Sequence, residues 1–272
     1  YVKCLKAQPT QMASAMTDMA MFAGASTQGS ILPGAFTVLN ASIRANVSKG
    51  LLVIEGGGTL GKSTAPTRLS ALNYNTRVLT RPKTVMRALD AIYDPSRVLF
   101  VFNGHGLNDI PGTPQTADGD KILIHFVGAD SDFPCDQDDN AEPPTENIWL
   151  HWSEVTNKLQ GQPAHYKFVF LNSCSCGSQY QFWMQAFKAK AFFGWEYPVL
   201  LVTAQSFDRV FWDEMLDVEQ HDYNVRSVHD ETVRILKKDG KFVGPIKDKD
   251  GNILVWDSPV YEENEAGFTL PY

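Results

Sequence analysis

Two apolar runs, VLFVF at 98–102 and FVFL at 168–171, constrain this chain more than any other feature. Each has the length of a buried strand, and each stops abruptly in small polar residues, NGHG after the first and NSCSCGS after the second. Further short strands are predicted in KGLLVIEGGG (49–58), NTRVLTRP (75–82), KILIHFVG (121–128) and AFFGWEYPVLLVTA (191–204). Between them lie helical patterns: KTVMRALDAIYD (83–94) carries apolar residues on one face, and WLHWSEVTNKLQG (149–161) has Ser153 as a start signal and Gly161 as a stop. Helices are also predicted in 179–190, 207–217 and 229–239, with another over 10–24.

Strands apolar on both faces and alternating with helices imply a mainly parallel sheet covered on both sides, an α/β three-layer sandwich. Two Asp-Gly pairs, Asp239-Gly240 and Asp250-Gly251, add a C-terminal β-hairpin within 239–257. In such sheets chemistry gathers at the carboxyl ends of the strands, where His105 and Cys174 both fall. The divisions expected are an N-terminal extension, 1–48, and one domain over 49–272 with an acidic loop insertion at 129–146.

Charge narrows the partners. Asp130, Asp132, Asp136, Asp138, Asp139, Glu142 and Glu146 crowd one stretch, and no Lys or Arg occurs from 122 to 157. With a net charge of −7 and no basic face, nucleic acid is not an expected partner. No run approaches the ~20 apolar residues that span a bilayer, so no membrane partner is expected either. The acidic loop could suit a hard cation, but its spacing is not that of an EF-hand. Cys4, Cys135, Cys174 and Cys176 are too few and too irregular for a disulfide scaffold. The chain begins at Tyr1 rather than Met, as a trimmed or mature product would, so localisation is not legible from this end.

A histidine beside glycines at one strand end, and a cysteine at another, supply the base and nucleophile of thiol catalysis. VLFVFNGHG and KFVFLNSCSCGS, in that order, resemble the two catalytic segments of the caspase-like (clan CD) cysteine peptidases. The resemblance is nearest to the CHAT, clostripain and gingipain branches, and extends by pattern over about 49–220. It implies a caspase-like sandwich in which His105 is the general base and Cys174 the nucleophile. The backbone N–H groups of Gly106 and Cys174 would form the oxyanion hole. Cys176 competes for the nucleophile's role, although it stands where relatives often carry Ser or Thr.

The expected activity is endopeptidase cleavage of a protein or peptide substrate, without a cofactor, under control of a regulatory partner or an activating cleavage. The pocket for the residue before the scissile bond is expected around Gly194–Glu196 and Asp208. There Glu196 or Asp208 would favour Lys or Arg, and Trp195, Tyr197 or Trp212 could line the groove.

Three alternatives stand beside this reading. GGGTLGKS (56–63) fits the phosphate-binding pattern G-x-x-x-x-G-K-[ST], with Lys62 and Ser63 in the ligand positions. Against it, Pro66 falls early in the following helix, and the strand ends that should supply a magnesium-binding Asp carry Asn103 and Asn172. A metal held by the C-x-C pair and His105 lacks a fourth ligand. A catalytically silent scaffold would ordinarily have lost the His or the Cys, and this chain keeps both.

Overall fold

The computed structural model of the protein describes residues 49–57, 60–106, 119–127, 140–251 and 253–271. The expected extension 1–48, its helix at 10–24 and most of the acidic loop lie outside them. The chain runs β1 (Gly50–Glu55), α1 (Ala65–Ser70), β2 (Asn75–Thr80), α2 (Val85–Ile92), β3 (Arg97–Asn103), β4 (Lys121–His125) and β5 (Ile148–His151). It continues through α3 (Trp152–Lys158), β6 (Phe168–Asn172), a 3₁₀ turn (Cys176–Gln179), α4 (Tyr180–Phe187), β7 (Ala191–Trp195) and α5 (Leu201–Glu214). The C-terminal part holds α6 (Val218–His221), α7 (Val225–Lys238), β8 (Ile246–Lys247), β9 (Ile253–Val255) and β10 (Pro259–Glu263).

The central sheet has six strands in the order β10-β7-β6-β3-β1-β2. All neighbours are parallel except β10, which closes the β7 edge antiparallel. Side chains alternate across it as a period of two requires. Leu52, Ile54, Phe100, Phe102, Val169 and Leu171 face a core built with Leu89, Val155 and Phe187 of α2, α3 and α4. Leu51, Val53, Leu99, Val101, Phe168 and Phe170 face the opposite core, with Leu69, Phe211 and Val228 of α1, α5 and α7. Both faces are apolar because both are covered, giving the mostly parallel three-layer arrangement expected from the sequence. Among the described residues no helix is long and apolar enough to cross a membrane.

The strand expected at 121–128 is present in a place the sequence does not specify, and two other elements differ from the sequence reading. β4 does not join the central sheet; it pairs antiparallel with β5 in a two-stranded sheet of its own. VLLVTA, strand-like in composition, forms the start of α5 instead. Asp257, far along the chain, accepts from Leu200 N–H (3.2 Å) and Thr203 Oγ1 (2.9 Å), so a distant carboxylate caps a helix that local propensity disfavours. At α3 the cap is His151 rather than Ser153: its Nδ1 accepts from Ser153 N–H at 3.0 Å while Glu154 reaches back to His151 N–H. The C-terminal hairpin is present as β8–β9.

Candidate active site

β3 and β6 lie side by side in parallel, and their last residues, Asn103 and Asn172, are register partners. Both are buried, and such amides must find partners or cost stability. Asn172 Nδ2 donates to Asn103 Oδ1 (2.8 Å) and to Ala204 O (3.0 Å), and Asn172 Oδ1 accepts from Trp195 Nε1 (2.9 Å). Asn103 Nδ2 in turn donates to Gly61 O at 2.8 Å. This uncharged network ties the β1–α1 loop, β3, β6, β7 and α5 together just below the strand ends.

His105 and Cys174 each stand two residues beyond an asparagine of that pair. The His105 segment is held by β4, for Leu123 N–H donates to His105 O at 2.9 Å and Gly106 bridges to Ile122. Thus β4, outside the central sheet, positions the histidine. The imidazole lies 5.7 Å from the Phe126 ring, and burial lowers its pKa below the ordinary value. Gly106 then runs directly over the cysteine: a Cβ built on it would stand 2.0 Å from Cys174 O and 3.2 Å from Cys174 N. Only glycine allows the two backbones to meet so closely.

The cysteine turn is tight. Ser173 N–H donates to Leu171 O (2.9 Å), and Ser175 adopts φ +61°, a left-handed conformation costly for a residue with a Cβ. It is held there because Ser175 N–H donates to Tyr197 O (3.2 Å), while Ser175 O accepts from Ser178 Oγ (2.7 Å). Gly119 backs the same carbonyl, with room for no side chain: its Cβ would fall 2.0 Å from Ser175 O. The turn sends the two thiols to different places. Cys174 is partly exposed, its Sγ 3.9 Å from Val199 O. Cys176 is fully buried, its Sγ 2.9 Å from Ser173 Oγ, and burial pushes its thiol up to about 12. A thiol so placed stays protonated and is a core residue, which leaves Cys174 as the accessible sulfur.

His125 is another imidazole beside these strand ends. It is buried, with Nδ1 3.0 Å from Arg81 O and Nε2 3.4 Å from the Arg81 guanidinium, and so is occupied in structure.

The expected pocket residues are dispersed. Trp195 is fully buried and engaged with Asn172; Trp212 is also fully buried. Tyr197 stacks on Trp256 at 5.0 Å. Glu196 accepts from Ser258 Oγ at 2.9 Å. The Asp208 carboxylate is buried and receives Ser63 Oγ (2.7 Å), Thr64 N–H (2.7 Å) and Thr64 Oγ1 (2.8 Å). Those are groups that a phosphate at GGGTLGKS would need, so the donors of the nucleotide reading are already engaged within the fold. Pro66 is accommodated in the first turn of α1, but that helix has only six residues. Among the described residues no group of three or more His, Cys, Asp or Glu side chains could hold a metal ion.

The Asn103–Asn172 network is the part of the site that sequence reasoning missed as such. Both residues are visible at the strand ends, but a polar side chain closing an apolar run signals a turn as readily as a buried amide pair.

No protein-family model matches the chain, and no curated protein sequence matches it significantly. Among solved structures, the complex of RgpB pro- and mature domains from Porphyromonas gingivalis is similar, with TM-score 0.47 and 13% identity over 83% of this chain and 49% of that one. A secreted C11 cysteine protease from Bacteroides thetaiotaomicron, in complex with an irreversible peptide inhibitor, gives TM-score 0.43 and 12% identity over 79% of this chain and 66% of that one. The chain thus spans about half the length of the first and less than all of the second. At that level of similarity, function rests on the geometry of this chain alone.

Proposed function

We propose that the protein is a cysteine endopeptidase working through His105 and Cys174. The observation that carries this reading is the close approach of Gly106 to the Cys174 backbone, which joins the two strand ends bearing an imidazole and an accessible thiol. In the reaction His105 takes the proton from Cys174 Sγ, and the thiolate attacks the carbonyl carbon of a peptide bond. The N–H groups of Gly106 and Cys174 stabilise the oxyanion. Collapse expels the amine, which receives the proton from His105, and water then hydrolyses the thioester to regenerate the thiol. The lowered pKa of His105 keeps the ring neutral, and therefore able to accept a proton, at neutral pH.

The test is active-site labelling with peptide acyloxymethylketones, located by mass spectrometry. Labelling at Cys174 that is lost in His105→Ala supports the dyad; absence of labelling by every peptide favours a silent scaffold. The pH profile gives a second check. Because the shift in His105 is downward, the base form persists as pH falls, and the acid limb of kcat/KM is expected below about 6.5, the ordinary imidazole value. An acid limb above that value would mean that another group, or a partner charge on His105, governs the reaction.

A further inference from the structure

A cavity of about 380 Å³ opens between the Gly61–Thr64 loop and the first turns of α5. Asn103 lines it, two residues before His105 and bonded through its amide to Asn172, two residues before Cys174. The cavity therefore adjoins the Asn103–Asn172 pair from which the His105 and Cys174 segments emerge, and it is large enough for one long side chain. We infer that this cavity receives the substrate side chain before the scissile bond, and that this side chain ends in a carboxylate. The inference rests on the peptidase reading above and adds its substrate class.

The charges around the cavity decide the sign. Lys62 and Arg209 line it and are exposed to solvent, and neither forms an ion pair among the described residues. Asp208 also lines it but is buried, and three donors from Ser63 and Thr64 already hold its oxygens. Glu55, the other acid nearby, is buried at the end of β1, where Thr80 Oγ1 donates to it at 3.1 Å. Burial raises the pKa of both carboxyls, in Glu55 against the pull of the Lys62 charge and in Asp208 against its hydrogen bonds. An incoming Lys or Arg would sit between two cations and find its only lining acid already bonded. An incoming Asp or Glu meets both cations, with Ser206 lining the same cavity.

On this proposal Asp208 holds the Gly61–Thr64 loop from beneath instead of selecting basic residues, and the loop presents Lys62. Because the two cations are exposed, their attraction is screened by salt, which separates it from selection by shape.

The experiment measures kcat/KM for one peptide series carrying Asp, Glu, Gln, Ala, Leu, Lys or Arg before the scissile bond, at low and high salt. It uses the wild type, Lys62→Glu and Arg209→Glu. Asp or Glu is expected to exceed Lys and Arg at least tenfold, with the Glu-to-Gln ratio falling several-fold in each variant and at high salt. Cleavage that depends on Cys174 but prefers Lys, Arg or an apolar residue overturns the inference and leaves the peptidase standing. So does a Glu-to-Gln ratio that neither variant moves. If no peptide is cleaved and no warhead labels Cys174, the peptidase reading fails and the inference fails with it.

Discussion

Cys174→Ala is expected to lower peptide cleavage by more than about 10³-fold while leaving stability nearly unchanged, and Cys176→Ala to lower stability while leaving cleavage nearly unchanged. The two thiols are separated by one residue in sequence, yet Ser175 at φ +61° turns them into different environments. Cys174 is partly exposed, so removing its sulfur deletes a reactive group with little packing around it, and stability should change by less than about 0.5 kcal/mol. Cys176 is fully buried beside Ser173, with its thiol pushed up to about 12, so its thiolate is scarce at neutral pH. Its truncation leaves a small cavity and an orphaned Ser173 hydroxyl, a cost of about 1–2 kcal/mol by denaturant unfolding. The paired measurements are kcat/KM and unfolding free energy for each variant. Loss of activity in Cys176→Ala with full activity in Cys174→Ala would exchange their roles and refute the assignment.

The ambiguity between these cysteines shows where sequence reading reaches its limit. A C-x-C pair after a buried strand has no period by which to tell an exposed thiol from a buried one, because the backbone there is a turn. The strands themselves were legible: both faces of β1, β3 and β6 are covered, so their apolar runs are continuous and bounded by small residues. Their partners were less so. KILIH reads as a strand but says nothing of which strand it joins, and its pairing with β5 and with His105–Gly106 follows from long-range contacts. β10 was missed because PVYEE offers a lone buried aromatic, Tyr261, among partly exposed residues, the weak pattern of an edge strand. The start of α5 was misread for a related reason, since its cap, Asp257, lies far along the chain. Asp208 illustrates a different failure. An acid on a helix defaults to the surface, and only the fold reveals that three donors from the loop after β1 make its burial tolerable.

Gly106→Ala is expected to reduce kcat/KM by at least about 100-fold without unfolding the protein, through the distance between two backbones. The added methyl would stand 2.0 Å from Cys174 O, well inside van der Waals contact, and that neighbour is main chain rather than a flexible side-chain end. Relief therefore requires the His105–Gly106 segment to withdraw from the Cys174 turn by about an ångström, a displacement on the scale that misaligns nucleophile and base. The anchors on either side oppose large rearrangement: Leu123 N–H holds His105 O, and Tyr197 O holds Ser175 N–H. Gly244→Ala is the matched control, because nothing lies within 4 Å of the new methyl and its backbone is not left-handed. Activity should then fall in Gly106→Ala alone, with both variants melting close to the wild type. Labelling of Cys174 by a small neutral alkylating agent should survive in Gly106→Ala while peptide warheads fail, since the thiol remains but its alignment with His105 and the oxyanion donors does not. Full peptide turnover in Gly106→Ala would sever the link between that backbone contact and catalysis, and with it the main geometric support for the dyad.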